Sequence, residues 1–142
     1  MKILVACDGS KPALRALRYA IKLVRQLTPE SSRITLVNVH DDGSLRHARF
    51  FVEPGVVEDY LRELGEKDLR PARKLLDTAG IRHDMVIRVG HVAEEILDCA
   101  RAGRFDMIVL GAKGRSAIAD LLIGSVAHRV LNTADAPVLL VR

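Results

Sequence analysis

Apolar residues in this chain fall into two alternating patterns. The first is a short, nearly unbroken run: Lys2–Cys7 (KILVAC), Arg33–Val39 (RITLVNV), Arg82–Val89, Phe105–Leu110 (FDMIVL) and Pro137–Val141 (PVLLV). Runs this short, β-branched and without strict alternation are what strands buried on both faces look like. The second pattern recurs every three or four residues. Ala13, Leu14, Ala16, Leu17, Ala20, Ile21, Val24 and Leu27 mark one amphipathic helix, and Val56–Ala79, Val92–Ala102 and Ser125–Thr133 carry the same period. Strands and helices in alternation predict a single α/β domain over residues 1–142, its parallel sheet covered by helices on both sides.

Punctuation residues sharpen these boundaries. Ser10 precedes the first helix and can cap it, with Pro12 in the first turn, where a missing N–H is harmless. Thr28-Pro29-Glu30-Ser31-Ser32 ends that helix, and Gly80 ends the second. Pro71 lies inside the second pattern, which predicts a kink or break near Arg70. The stretch from His40 to Gly55 has no period of its own and holds Arg46, His47, Arg49, Phe50 and Phe51. It reads either as a lid or partner surface, or as a loop whose phenylalanines plug the edge of the core.

Composition narrows the function classes. At 142 residues, 49% apolar and 28% charged, the chain suits one globular domain that needs no disulfide or metal staple. Its apolar runs are too short for a membrane span or a signal-peptide core, so a cytoplasmic location is expected. Cys7 and Cys99 show no metal-ligand spacing and read as buried, reduced thiols. A net charge of +4 favours an anionic ligand or partner. Arg15, Arg18, Lys22 and Arg25 form one helical stripe, either a solvated face or a contact for such a partner. Aromatics at 4% are too few for the stacking platform of a nucleic-acid surface, which argues against that class.

The chemistry concentrates in one segment. Gly111-Ala-Lys-Gly114-Arg follows a strand directly, and Gly124-Ser125 opens a helix nine residues further on. Glycines let a ligand approach the backbone closely, and the carboxyl ends of parallel strands are where open α/β sheets bind ligands. The free N–H groups and positive dipole end of a helix suit a phosphate, and Lys113 and Arg115 add positive charge beside it. The apolar arm between the two ends can fold back over the site. Neither a Walker A loop nor a GxGxxG fingerprint is present, and no nucleophile elbow, HExxH or His/Cys ligand cluster appears. Without a convincing base, any ATP hydrolysis should be slow or incidental, and no residue is assigned as catalytic.

These residues resemble the universal stress protein family. The resemblance runs through Asp8-Gly9-Ser10, Val37-Asn38-Val39-His40, Ala93-Glu94-Glu95-Ile96, Phe105-Asp106, the Gly-x2-Gly-x9-Gly-Ser motif, and Ala136-Pro137-Val138-Leu139. It implies a flavodoxin-like, Rossmann-like three-layer α/β/α sandwich with five parallel strands in the order 3-2-1-4-5. It further implies ATP binding, with Mg²⁺ held through the phosphates, and dimerisation. Gly111, Gly114, Gly124 and Ser125 would take phosphates and ribose, and Val126 would add a backbone N–H. Asp8 would hold the adenosine part, Val39 would line the adenine pocket, and Ala6 and Cys7 would border it. Lys113, Arg115 and Leu110 complete the expected site. The Gly90-His91-Val92 turn departs from the family's usual Gly-Asp/Glu-Pro, which weakens the cap of the following helix.

In that strand order Asp8 and Gly111 flank the switch point, where a crevice opens. Asp8 there accepts hydrogen bonds from ribose or adenine, or else only from its own turn. His40 lies near the same end, as a pocket residue or a solvated one. The final strand becomes an apolar edge without Lys or Glu, and antiparallel pairing with its copy would make a two-fold homodimer. The leading expectation is a nucleotide-dependent stress-response or signalling module that is not an enzyme. The alternatives are a weak ATPase or phosphotransferase using Lys113, Ser125 and Mg²⁺, and an adaptor with a vestigial pocket.

Overall fold

The structure, a computed structural model, describes residues 1–27, 30–41, 43, 50–115 and 122–142. The chain runs β1 (Lys2–Ala6), α1 (Lys11–Leu27), β2 (Arg33–His40), α2 (Val56–Ala79), β3 (His83–Val89), α3 (Val92–Gly103), β4 (Met107–Gly111), α4 (Ser125–Thr133) and β5 (Val138–Val141). All strand pairs are parallel, in the order β3-β2-β1-β4-β5. The chain builds outward from β1 in one direction, then crosses back to β4. β1 and β4 are therefore neighbours whose following segments leave toward opposite faces, which opens a crevice at their carboxyl ends.

Side chains alternate between two cores because successive Cβ atoms of a strand point to opposite faces. Ile3, Val5, Ile34 and Leu36 pack with Leu17, Val24, Leu69 and Leu76 of α1 and α2. Leu4, Val37, Ile108 and Leu110 pack with Ile96, Ala100, Ala127 and Val130 of α3 and α4. Ile3, Leu4 and Val5 are completely inaccessible, as expected of a central strand in a three-layer sandwich.

Local chemistry sets the ends. Ser10 Oγ accepts the Ala13 N–H at 3.3 Å, and the Leu14 N–H bonds the Ser10 carbonyl at 3.0 Å, so Ser10 caps α1. Gly80 adopts φ 67°, and its N–H and that of Ile81 return to Asp77 and Leu76, closing α2 with a Schellman turn. The third helix has no side-chain cap at His91, in line with the altered turn before it. Strand limits differ from the sequence pattern by one or two residues. Most telling is Phe105, which lies outside β4: its N–H bonds Ala100, so it leaves α3 rather than joining the sheet.

The break expected near Arg70 is absent. α2 continues through Pro71 to Ala79. Pro71 is exposed, while Leu69, Ala72 and Leu76 on the inner face are almost fully buried. The packing of that face holds the helix across one missing hydrogen bond. Phe50 and Phe51 are 84% and 86% exposed, so neither plugs the core. Arg46, His47 and Arg49 of that stretch lie outside the described residues. Arg15, Arg18, Lys22 and Arg25 are all exposed; Arg25 bonds the Ala79 carbonyl, tying α1 to α2.

Gly65 decides how closely α2 lies on the sheet. A Cβ there would stand 2.8 Å from Ile87 Cγ2 and 3.0 Å from Asn38 Oδ1. Ile87 is stiff at χ1, and Asn38 is held by a bond to the Cys7 carbonyl at 2.9 Å. We expect Gly65→Val to cost about 2 kcal/mol despite its better helix propensity, read as a lower urea midpoint.

Candidate functional site

A cavity of about 440 Å³ opens at the carboxyl ends of β1, β2 and β4. All twelve residues singled out from the sequence line it. Ala6, Cys7 and Asp8 come from the end of β1, and Val39 from β2. Leu110, Gly111, Lys113, Gly114 and Arg115 come from β4 and the loop after it. Gly124, Ser125 and Val126 come from the start of α4. The topology brings these segments together because the three strands end at one level. The arm that joins Arg115 to Leu122 falls in 116–121, outside the described residues.

The cavity has two halves of different chemistry. On the α3 and α4 side, Val37, Val39, Val92, Ile96 and Ala127 make an apolar wall. On the α2 side, Asp8, His40, Asp41 and Asp68 are polar. Gly124 joins the halves. Its N–H bonds the Ala112 carbonyl at 2.7 Å, and its carbonyl takes the His128 N–H at 2.9 Å as the first bond of α4. The N–H groups of Ser125, Val126 and Ala127 therefore have no acceptor within the helix and border the cavity. A helix end with open N–H groups thus stands beside an apolar chamber.

The three motif glycines serve different purposes. A Cβ on Gly111 would stand 2.9 Å from the Pro12 carbonyl carbon, so this glycine admits α1 rather than a ligand. A Cβ on Gly114 would stand 3.1 Å from Asp8 Oδ2. At Gly124 the nearest protein atoms would be 3.6 Å away, and φ is −72°, which any residue adopts. The protein itself does not demand glycine at 124; a ligand at the helix end would.

Asp8 does more than make its own turn. Oδ1 accepts the Ser10 N–H at 3.0 Å, and Oδ2 accepts the Arg115 N–H at 3.0 Å. One carboxylate thus holds the loop after β1 against the loop after β4. Gly9 between them adopts φ 78°, and a Cβ there would press on Arg115 Nη2 and the Asp68 carbonyl. The Arg115 guanidinium pairs with Asp68 Oδ1, an ion pair that keeps Arg115 charged.

Sequence reading overlooked Asp68, Asn38 and the apolar wall from α3, and it left His40 undecided. Asp68 sits three residues after the buried Gly65, on the inward stripe of α2, and an acid there is the one signal that could have found it. His40 belongs to the pocket; its Nε2 lies 3.9 Å from Asp68 Oδ2. Burial lowers the His40 pKa below its ordinary 6.5, with Arg115 pulling the same way and Asp68 opposing. Burial likewise raises the Cys7 thiol to about 11, so Cys7 is unreactive at neutral pH although it borders the cavity. Among the described residues, no group of three or more His, Cys, Asp or Glu could hold a metal ion, and no helix is long and apolar enough to cross a membrane.

Comparison with known proteins places this architecture. The universal stress protein family matches residues 1–142. The universal stress protein MJ0531 of Methanocaldococcus jannaschii is 30% identical over 141 residues, spanning 99% of this chain and 81% of its own. The solved structure of MJ0577, from the same organism, superposes with a TM-score of 0.86 at 27% identity, over 99% of this chain and 94% of that one. A universal stress protein solved in complex with cAMP superposes with a TM-score of 0.74 over 100% and 97% of the two chains; at 23% identity it shares the fold.

Proposed function

The chain belongs to the universal stress protein family, and from that premise we propose that it is an adenine-nucleotide-binding module whose resident ligand is ATP. The observation that carries this is the pairing, in one cavity, of an apolar chamber with the free N–H groups of α4. Adenine suits the wall of Val39, Val37 and Ile96. The phosphates suit Gly124, Ser125, Val126 and Lys113. A volume of about 440 Å³ falls in the usual range for a site enclosing a ligand of nucleotide size. Mg²⁺ would be carried by the phosphates, supplying charge neutralisation there, since the described side chains provide no ligand set of their own.

In this reading the protein is a signalling module of the stress response, cytoplasmic, and not an enzyme. Both oxygens of Asp8 are engaged by backbone N–H groups, and Asp68 is engaged by Arg115, so neither is a free base aimed at a γ-phosphate. Phosphate release should be negligible over hours. A homodimer through the outer edge of β5 completes the proposal; β5 pairs with β4 alone among the described strands.

Chromatography of nucleotides released from heat-denatured protein, followed by calorimetric titration of the stripped form, tests the reading. Adenine nucleotide in the supernatant and saturable binding of Mg²⁺-ATP are expected; an empty supernatant with no binding heat would refute it. Asp8→Ala should weaken ATP and inorganic tripolyphosphate alike, each about tenfold, because this carboxylate positions the phosphate loop through Arg115. Weakening of ATP alone would confine Asp8 to the adenosine end.

A further inference from the structure

Of the two cations that line the cavity among the described residues, Lys113 and Arg115, the second is committed to a carboxylate. Arg115 follows Gly114 directly, yet its guanidinium pairs with Asp68 on α2. The Arg115 side chain is 56% exposed, whereas the Asp68 side chain is 12% exposed. Drawing Arg115 to a phosphate would strand a buried carboxylate without a cation, which is costly. A replacement stands 3.9 Å from the other oxygen of that carboxylate. His40 Nε2 is buried and has no hydrogen-bond partner.

We infer that Asp68 and His40 form a charge-exchange pair that sets phosphate affinity: a bound nucleotide takes Arg115, and His40 takes up a proton from solvent and bonds Asp68 in its place. The inference rests on the adenine-nucleotide reading of this cavity. In the exchange one ion pair is broken, and Arg115–phosphate and His40–Asp68 contacts form. One proton passes from water to the imidazole, so charge and atoms balance. The closure needed is small, about 1 Å from the present separation to a normal hydrogen bond.

The groups facing His40 agree with this role. From α2 comes Asp68, and from the loop after β4 comes Arg115. The end of β1 supplies Asp8, and Asp41 adjoins it in the chain; Val89, its register partner on β3, is apolar. With Arg115 in place, burial and that cation keep the ring neutral. With Arg115 drawn away, Asp68 is the charge that still acts on it, Lys113 being the cavity's other cation, and its pKa rises in the complex. A histidine whose pKa rises on binding favours the complex below its free pKa. That advantage is lost as pH climbs through the bound value. Affinity should therefore fall with rising pH between a point below 6.5, the free value, and a point above it.

Calorimetry with Mg²⁺-saturated ATP, in two buffers of different ionisation enthalpy at mildly acid to neutral pH, reads the exchange directly. Wild-type protein should take up more protons per nucleotide than His40→Leu, by an amount approaching roughly one. Asp68→Asn, nearly isosteric, should bind ATP about tenfold tighter, because Arg115 is no longer held, and should show no excess proton uptake. His40→Leu should bind more weakly in wild-type background and be without effect on Asp68→Asn. Circular dichroism confirms that each variant is folded. Equal proton counts in wild type and His40→Leu, or a weakened Asp68→Asn, would overturn the exchange while leaving nucleotide binding intact. No binding heat from the wild type would overturn the nucleotide reading itself, and the exchange with it.

Discussion

Gly124→Val is expected to leave the protein folded and to abolish most of its ATP affinity, raising Kd about a hundredfold. The fold tolerates the change for three reasons. Backbone φ at 124 is −72°, the nearest atoms to an added Cβ are 3.6 Å away, and the N–H bond to Ala112 is unaffected by a side chain. The loss of glycine at a helix N-cap should cost no more than about 1 kcal/mol. The new methyl groups instead occupy the ground in front of the Ser125 and Val126 N–H groups. Gly111→Val is the contrast. Its side chain would run into the Pro12 backbone, so it should lower the melting temperature and binding together. Thermal denaturation and calorimetry on both variants separate the two roles. Full ATP affinity in a folded Gly124→Val would remove α4 from the site.

Leu140→Pro is expected to convert the proposed dimer to monomer with the sheet intact. The polarity of β5 decides which position to change. The Pro137 carbonyl accepts from Ile108, and the Val141 carbonyl accepts from Ala112. Backbone groups of alternate residues point to the same side of a strand, so 137, 139 and 141 face β4, while 138 and 140 face outward. Proline at 140 removes an outward donor and spares the ladder. Proline at 139 instead removes a donor directed at β4, and it destabilises the monomer itself. Light scattering at micromolar concentration should give a dimer mass for wild type and a monomer mass for Leu140→Pro. A dimer that survives Leu140→Pro would place the interface elsewhere.

The elements were legible because their signals are local. A five- or six-residue apolar run such as KILVAC has few ways to bury both faces other than as a central strand, and Ser10, Pro12 and Gly80 act within one helical turn. The strand order came from resemblance, because nothing in the hydrophobic period says that β4 rather than β3 lies beside β1. That the glycine segment lines the cavity was legible for the same reason as the helices. Gly111, Gly114 and Gly124-Ser125 lie within fifteen residues of one another, and their spacing carries the geometry. Pro71 marks where a local rule failed: its propensity predicts a break, and the buried face of Leu69, Ala72 and Leu76 overrides it.

The sequence by itself determined which segments are strands and helices, which loop carries the Gly-x2-Gly-x9-Gly-Ser spacing, and that Asp8 follows the first strand beside a turn. Tertiary structure alone decided what those glycines are for, since Gly111 answers to Pro12, Gly114 to Asp8, and Gly124 to no protein atom closer than 3.6 Å. It also decided that Asp68, sixty positions from Asp8, reaches across to Arg115 and stands beside His40. Such contacts join β1, β2, α2 and the β4 loop through space. Hydrophobic period and capping chemistry act over a turn or two of chain and carry no record of which distant side chains meet. That is settled only when the two cores close on the sheet and set α2 down at Gly65.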